Sequence, residues 1–303
     1  MPNAVNETTT TQGGYAVPVE YVKEIFRLMG EYNIAEKVIA SHIAPTSSGH
    51  LAEITVNPTI SYPTEGLYVL SGEDSRPTWD RATYTLKRWG VQVYIYDDWA
   101  EDTFASAQTI IETMVETLAE DLDRCVFLGD GSSGYNSVTG LSNITAGLTN
   151  VIDLGLNHLT YDKIVQARKT IRQNKGKVAN LSIVVSPSGE ADIINMKDDA
   201  GRLLLSSNVS SSDTIKTGLI GTILGMPVYV ANALTPYETS NSKGIAFMID
   251  SKNVGRIVKR YTGAKQVRER DPGYPREILS LYLRMDLVAL FPKTMVRFEN
   301  IGI

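Results

Sequence analysis

The sequence predicts an α+β fold, on three observations. One long amphipathic helical pattern runs through "DDWAEDTFASAQTIIETMVETLAEDLDRCVFLGDG". One clean period-2 strand, "ILSLYLRMDLVALFP", lies near the end. Between them, from about residue 140, helical and strand periods are mixed. With 303 residues, the chain is too long for one small core and suits one large domain or two interleaved ones.

The first segment, "MPNAVNETTTTQGG", reads as a flexible polar arm. It lacks the basic region and apolar block of a secretory signal. After Pro18, the spacing of Val22, Ile25, Phe26 and Met29 predicts a short amphipathic helix. "HLAEITVNP" is an extended segment with Ala52, Ile54 and Val56 on one face, and its expected partner is "TYTLKRWGVQVYIY". The stretch between them carries Pro58, Pro63 and Pro77 and is long for a loop inside a compact domain. Tyr62, Leu67, Tyr68, Leu70 and Trp79 make it too apolar for a freely solvated insertion, so it reads as an extended hairpin whose side chains need a partner surface.

Asp98 and Glu101 resemble a capping box at the start of the long helix. Ile111, Met114, Val115, Leu118, Leu122, Cys125 and Val126 form its apolar stripe, and Glu112, Glu116 and Glu120 line another face. Gly129 is placed to end the helix in a left-handed conformation. Further on, "LTYDKIVQARKTI" is a helix capped by Thr160, with Ile164, Val165, Arg168 and Ile171 along it. "LSIVVSP" is a buried strand, and "SGEADIINMKD" a helix capped by Ser188. "GTILGMPVYVANAL" holds two strands around a turn at Gly225-Met226-Pro227. In the closing strand Leu279, Leu281, Leu283, Met285 and Leu287 face a core. Ser280, Tyr282, Arg284 and Asp286 face outward, where Arg284 and Asp286 share a face and could pair.

Composition and motifs argue against several classes. The net charge of −5 does not advertise nucleic-acid binding. A single cysteine, Cys125, forbids an intrachain disulfide or a two-cysteine metal site, and its position on the apolar stripe makes it a core thiol. No apolar run approaches the ~20 residues a membrane span needs. The glycines of "GDGSSGYNSVTG" follow a helix instead of opening one and lack the Lys-Ser/Thr of a nucleotide loop. His42, His50 and His158 have no zinc-ligand spacing. The pairs Asp97/Asp98, Glu101/Asp102, Asp121/Asp123 and Asp198/Asp199 suit helix starts and solvated faces better than catalysis. In "KRYTGAKQVRERDPGYPR", Arg268, Arg270 and Arg276 alternate with Glu269 and Asp271, which suggests strand faces and intersubunit ion pairs.

Taken in order, five stretches resemble the major capsid proteins of tailed bacteriophages with the Hong Kong 97 fold. "GGYAVPVEYVKEI" resembles the passage from N-terminal arm to first helix. Residues 51–96 resemble the extended E-loop hairpin. "AEDLDRCVFLGDGSSGYNSVTGL" resembles the spine helix and its glycine-rich exit, "TILGMPVYVANAL" a strand turn of the axial domain, and "YLRMDLVALFP" the closing strand of the peripheral domain. The resemblance implies an arm and first helix over 1–50, a hairpin over 51–96, a peripheral domain from 97–136 and 255–303, and an axial domain over 137–254.

It further implies a non-enzymatic shell protein without cofactor or metal. Such a protein assembles with itself into hexamers and pentamers around double-stranded DNA, without sequence-specific contacts. Other expected partners are a separate scaffolding protein, because little chain precedes "GGYAVP", and a portal protein; no membrane is involved. The expected location is the virion, with assembly in the host bacterial cytoplasm. Intersubunit contacts are expected from Tyr62, Leu67, Tyr68, Leu70, Trp79, Arg268, Arg270 and Arg276. The founding member cross-links its subunits through an E-loop lysine. No lysine lies between Asn57 and Tyr84 here, and Glu277 and Arg284 stand near the family's acceptor and catalytic positions, so self-ligation is not expected. The alternatives are an encapsulin-like nanocompartment and, more distantly, a soluble enzyme with a carboxylate pair.

Overall fold

A computed structural model describes residues 33–56, 78–97, 107–132, 138–144, 150–198, 201–206, 218–261 and 264–302. The expected helix after Pro18, the Asp98/Glu101 capping box and the hairpin residues Tyr62, Leu67, Tyr68 and Leu70 lie outside them. Trp79 is described by its backbone, which pairs with Ile54.

Helix α1 (Ala35–Val38) leads into β1 (Ser41–Ile43) and the long β2 (Ser48–Val56). Strands β3 (Thr78–Thr85) and β4 (Lys87–Tyr96) precede α2 (Ala107–Leu128). Next come β5 (Val151–Asp153), α3 (Tyr161–Gln173), β6 (Leu181–Val185) and α4 (Pro187–Asn195). The hairpin β7 (Leu219–Ile223) and β8 (Met226–Val230) is followed by α5 (Thr235–Asn241) and β9 (Gly244–Asp250). The chain closes with β10 (Gly255–Lys259), β11 (Lys265–Arg270), β12 (Arg276–Ala289) and β13 (Met295–Ile301).

Three sheets result among the described residues. In the first, β12 is the central ladder. Its residues 276–285 pair with β4 on one edge; on the other, 277–282 pair with β11 and 285–289 with β10. Strands β10 and β11 therefore act as one long broken strand, and β1 adds parallel to β10. The second sheet has the order β5-β13-β9-β6-β8-β7, and the third is the β2–β3 ribbon.

The period-2 reading of β12 holds: Leu279, Leu281, Leu283, Met285 and Leu287 are all buried. They meet the apolar stripe of α2, where Met114, Val115, Leu118, Leu122, Cys125 and Val126 are buried. Phe127 stacks on Phe247 of β9 with centroids 5.7 Å apart, which joins the helix to one face of the second sheet. The other face of that sheet packs on α3 and α4 through Ile164, Ala167, Ile171 and Ile193.

Several expectations change. The partner of β2 is β3, so only Thr83–Thr85 of the expected partner stretch pair with it. Residues 87–96 belong to the first sheet, because Trp89, Val91, Val93 and Ile95 pack on the α2 core and leave the hairpin for that burial. Strand β13, expected with the peripheral elements, lies between β5 and β9 in the second sheet. The cap of α4 is Ser186, not Ser188, because Pro187 takes the first helical position. Thr160 stands at the α3 cap in extended conformation, but its side chain makes no capping bond. On α3, Val165 is 41% exposed and Ala167 fills the buried place. The turn between β7 and β8 is Leu224-Gly225, with φ of 53° and 77°, one residue earlier than expected. Asp286 accepts the N–H groups of Thr85 (2.8 Å) and Leu287 (2.9 Å), tying the ribbon base to β12.

Candidate functional site

Four places stand out among the described residues. The first is the base of the β2–β3 ribbon. Its own core is small: Ala44, Tyr84, Leu86, Val258 and Val288. The Tyr84 ring lies over Gly49, where a Cβ would meet the phenol oxygen at 2.5 Å. The Leu86 N–H reaches the Ser47 carbonyl at 2.8 Å. A two-stranded ribbon has no second layer of its own, so its described strands depend on this base.

The second is the outward face of the first sheet. Tyr94, Tyr96 and Tyr274 are 47%, 47% and 61% exposed. The Arg276 guanidinium stands 4.3 Å from the Tyr94 centroid and 4.6 Å from that of Tyr274, and it reaches the Tyr96 hydroxyl at 3.3 Å. Arg88 lies over Tyr282 at 4.1 Å. A shallow groove of about 600 Å³ runs between Arg88, Gln92, Glu269 and Tyr282. The three arginines singled out in the sequence find carboxylates within the chain. Arg268 donates to Glu277 (2.7 Å from Nε), Arg270 to Asp97 (2.6 Å), and Arg276 to Asp271 (2.8 Å from Nε). Hydrogen bonds from the Gly273 N–H and Arg276 hold Asp271 below the usual carboxylate range.

The third is the glycine-rich exit of α2. Gly129 is not left-handed; Gly131 is, with φ of 77°. Gly129 is required by close approach instead: a Cβ there would lie 2.2 Å from the Val138 carbonyl and 2.5 Å from that of Cys125. The Gly140 N–H donates to the Gly129 carbonyl at 2.7 Å, and Asn143 Nδ2 donates to the Leu128 and Gly129 carbonyls. The chain thus folds back against the helix end, and those orphan carbonyls find donors. Burial pushes the Cys125 thiol up to about 11, which suits an inert core thiol.

The fourth centres on Asp123, which the sequence offered only as one of the pair Asp121/Asp123 suited to a solvated face. Asp123 is 2% exposed and accepts the N–H groups of Ile34 and Ala35, each at 2.8 Å. Glu36 forms an ion pair with Lys259, whose side chain is 3% exposed, and the Glu36 N–H donates to Asn33. Residues 33–38, where the leading segment joins the body, are thereby plugged into α2 and β10. The available signal was an aspartate flanked by Leu122 and Cys125 on the buried side of the helix.

The other candidates are dispersed. Asp121 pairs with Arg124, away from Asp123. Asp97 meets Arg270, and Asp198 accepts the Arg202 N–H. His42 and His50 are exposed. His158 meets Asp192 at 2.8 Å in an open cavity that also borders Asp162 and Asp198. Among the described residues, no group of three or more metal-ligating side chains converges, and no helix is long and apolar enough to cross a membrane.

A family model described as the phage capsid family matches residues 13–298. The chain belongs to that family. Solved structures agree in fold. A chain from the capsid of an empty GTA particle is 16% identical, with a TM-score of 0.67 over 89% of this chain and 90% of that one. A chain of Mycobacterium phage Bobi gives 15% and 0.64 over 89% and 91%. One of Mycobacterium phage Ogopogo gives 12% and 0.62 over 89% and 92%. No curated protein sequence matches. For a capsid-family chain, the ribbon, the tyrosine–arginine face and the anchored leading segment are places to look for subunit contacts.

Proposed function

We infer that this chain is the major capsid protein of a tailed bacteriophage and that its work is self-assembly into the head shell around double-stranded DNA. The observation that carries this is the family match along 13–298. The α+β fold, shared with a chain from the capsid of a GTA particle, accords with it. Catalysis has no part in this reading. The subunit acts as a wedge, and its ribbon and leading segment reach over neighbours in hexamers and pentamers.

The contacts proposed for the ribbon are Tyr62, Leu67, Tyr68, Leu70 and Trp79. On the body, Arg268, Arg270 and Arg276 hold the sheet edge and its tyrosines in place. Arg276 and the exposed tyrosines have the composition of interface hot spots. A scaffolding protein and a portal complete the proposed partners, and the proposed site of assembly is the host bacterial cytoplasm. A net charge of −5 suits a container, since a wall that gripped phosphates would hinder packing and release.

The test is expression of the full chain with and without a scaffold, followed by light scattering and negative-stain electron microscopy. Closed particles or capsomers are expected. A strictly monomeric species at high concentration under both conditions would count against the reading. Particles that enclose an enzyme instead of DNA would favour the nanocompartment.

A further inference from the structure

Where α1 meets the end of β10, an amine and a carboxamide converge on one carboxylate oxygen. Lys259 Nζ forms its ion pair with Glu36 Oε1. The same oxygen accepts the Asn33 amide, whose Nδ2 lies 3.1 Å away. The other end of that amide is held too, because Asn33 Oδ1 accepts the Glu36 N–H at 3.1 Å. A helix cap needs only Asn33 and Glu36, and an ion pair needs only Glu36 and Lys259. Here the two share one oxygen, which sets the lysine nitrogen beside the carboxamide. We propose that Asn33 and Lys259 are a self-modifying pair that joins in an isopeptide bond within the chain, with Glu36 moving the protons.

Each group stands where its role requires. The Glu36 N–H polarises the Asn33 side-chain carbonyl and steadies the negative charge that gathers on Oδ1 when an amine adds. Glu36 Oε1 touches the Lys259 ammonium and takes a proton from it, which frees the lone pair on Nζ. That nitrogen attacks Asn33 Cγ, and a new C–N bond forms. The carboxyl of Glu36 also touches Nδ2, and it passes its proton there as the Cγ–Nδ2 bond breaks. Ammonia leaves. The attacking nitrogen gives its second proton to Glu36 and keeps the third as the N–H of the new amide. Protons and charge balance, and no oxidant, reductant or cofactor is consumed.

Burial favours this outcome over hydrolysis. Asn33 and Lys259 are 1% and 3% exposed, so water, the competing nucleophile, is kept from the amide. Strand register fixes the lysine as well: Lys259 lies between Ile43 of β1 and Met285 of β12. The bond differs from a cross-link between subunits, and it can hold or fail independently of the capsid reading.

The experiment is mass spectrometry of the denatured full chain, freshly purified and again after prolonged incubation. The expected product is a monomer lighter by about 17 Da, the mass of one ammonia. Its tryptic digest should hold a branched peptide that joins the segments around Asn33 and Lys259 and is uncut after Lys259. Glu36→Gln should keep the full mass, since an amide cannot take up and return the proton. A wild-type chain of full mass at both times would overturn the proposal. So would a mass loss mapped to other residues, a bond between two chains, or the same loss in Glu36→Gln. Should Glu36→Gln fail to fold, the wild-type digest decides alone: the branched peptide sustains the proposal, and separate unmodified peptides overturn it.

Discussion

The first sheet and the β2–β3 ribbon are built from the same kind of strand and earn their stability in opposite ways. Strand β12 has partners along both edges and α2 on one face, so every second side chain from Leu279 to Leu287 is buried within the subunit. Among the described residues the ribbon has one partner per strand, and the buried contacts on it lie at its root, around Tyr84 and Leu86. A sheet with a second layer stabilises itself. A ribbon without one depends on its base and on whatever surface covers it. In this chain the layered part holds the subunit together, and the ribbon is the part proposed to contact neighbours.

The contrast can be broken most forcefully from the sheet side. Leu281→Ala removes a side chain with no exposed surface between β12 and α2. It is expected to cost about 2–5 kcal/mol of subunit stability. Urea denaturation followed by circular dichroism measures it, and a loss under 1 kcal/mol would mean that the α2–β12 layer is not the main core. Gly129→Ala comes next. The added methyl would sit on the carbonyls of Val138 and Cys125, so the return of the chain must shift, at roughly 1–3 kcal/mol. A neutral result would show that the loop from Gly129 to Gly140 gives way easily. Arg270→Ala is expected to be small. The pair with Asp97 is half exposed at the arginine, and such pairs contribute about 0.2–1 kcal/mol. A larger loss in the same melt would mark that edge as more tightly coupled than its exposure implies.

The sequence disclosed the self-sufficient part well and the connections poorly. The stripe of α2 and the alternation of β12 were legible because each is a local period imposed by one buried face. The pairing of β4 was not. Its residues alternate equally well for either partner, and only the competition between ribbon and core decides that Val91 and Val93 go to the core. Strand β13 was misplaced for the same reason, since its neighbours β5 and β9 are set by topology and not by its own pattern. The Gly129 reading failed because close approach and left-handed backbone both select glycine. Asp123 was seen only as one of a carboxylate pair, because a buried acid and a solvated one look alike until the covering segment is known.

The smallest expected effect on the subunit belongs to the double change Leu67→Ser and Tyr68→Ser, and it should carry the largest effect on assembly. Among the described residues, the ribbon's buried contacts lie near Tyr84, Leu86 and Val258, far in sequence from 67 and 68. Loss of these two side chains should therefore leave the circular dichroism spectrum and the urea midpoint of the subunit unchanged. Burying a large apolar side chain is worth about 1.5–3 kcal/mol. A shell repeats each contact at every subunit, so a modest loss per site becomes a large loss per particle. Folded subunits without particles, seen by electron microscopy on the same sample used for the melt, are the expected result. Normal particles in normal yield would show that the ribbon is not the clamp. An unfolded subunit would show that residues 67 and 68 serve its own core, and the contrast between the two regions would then dissolve.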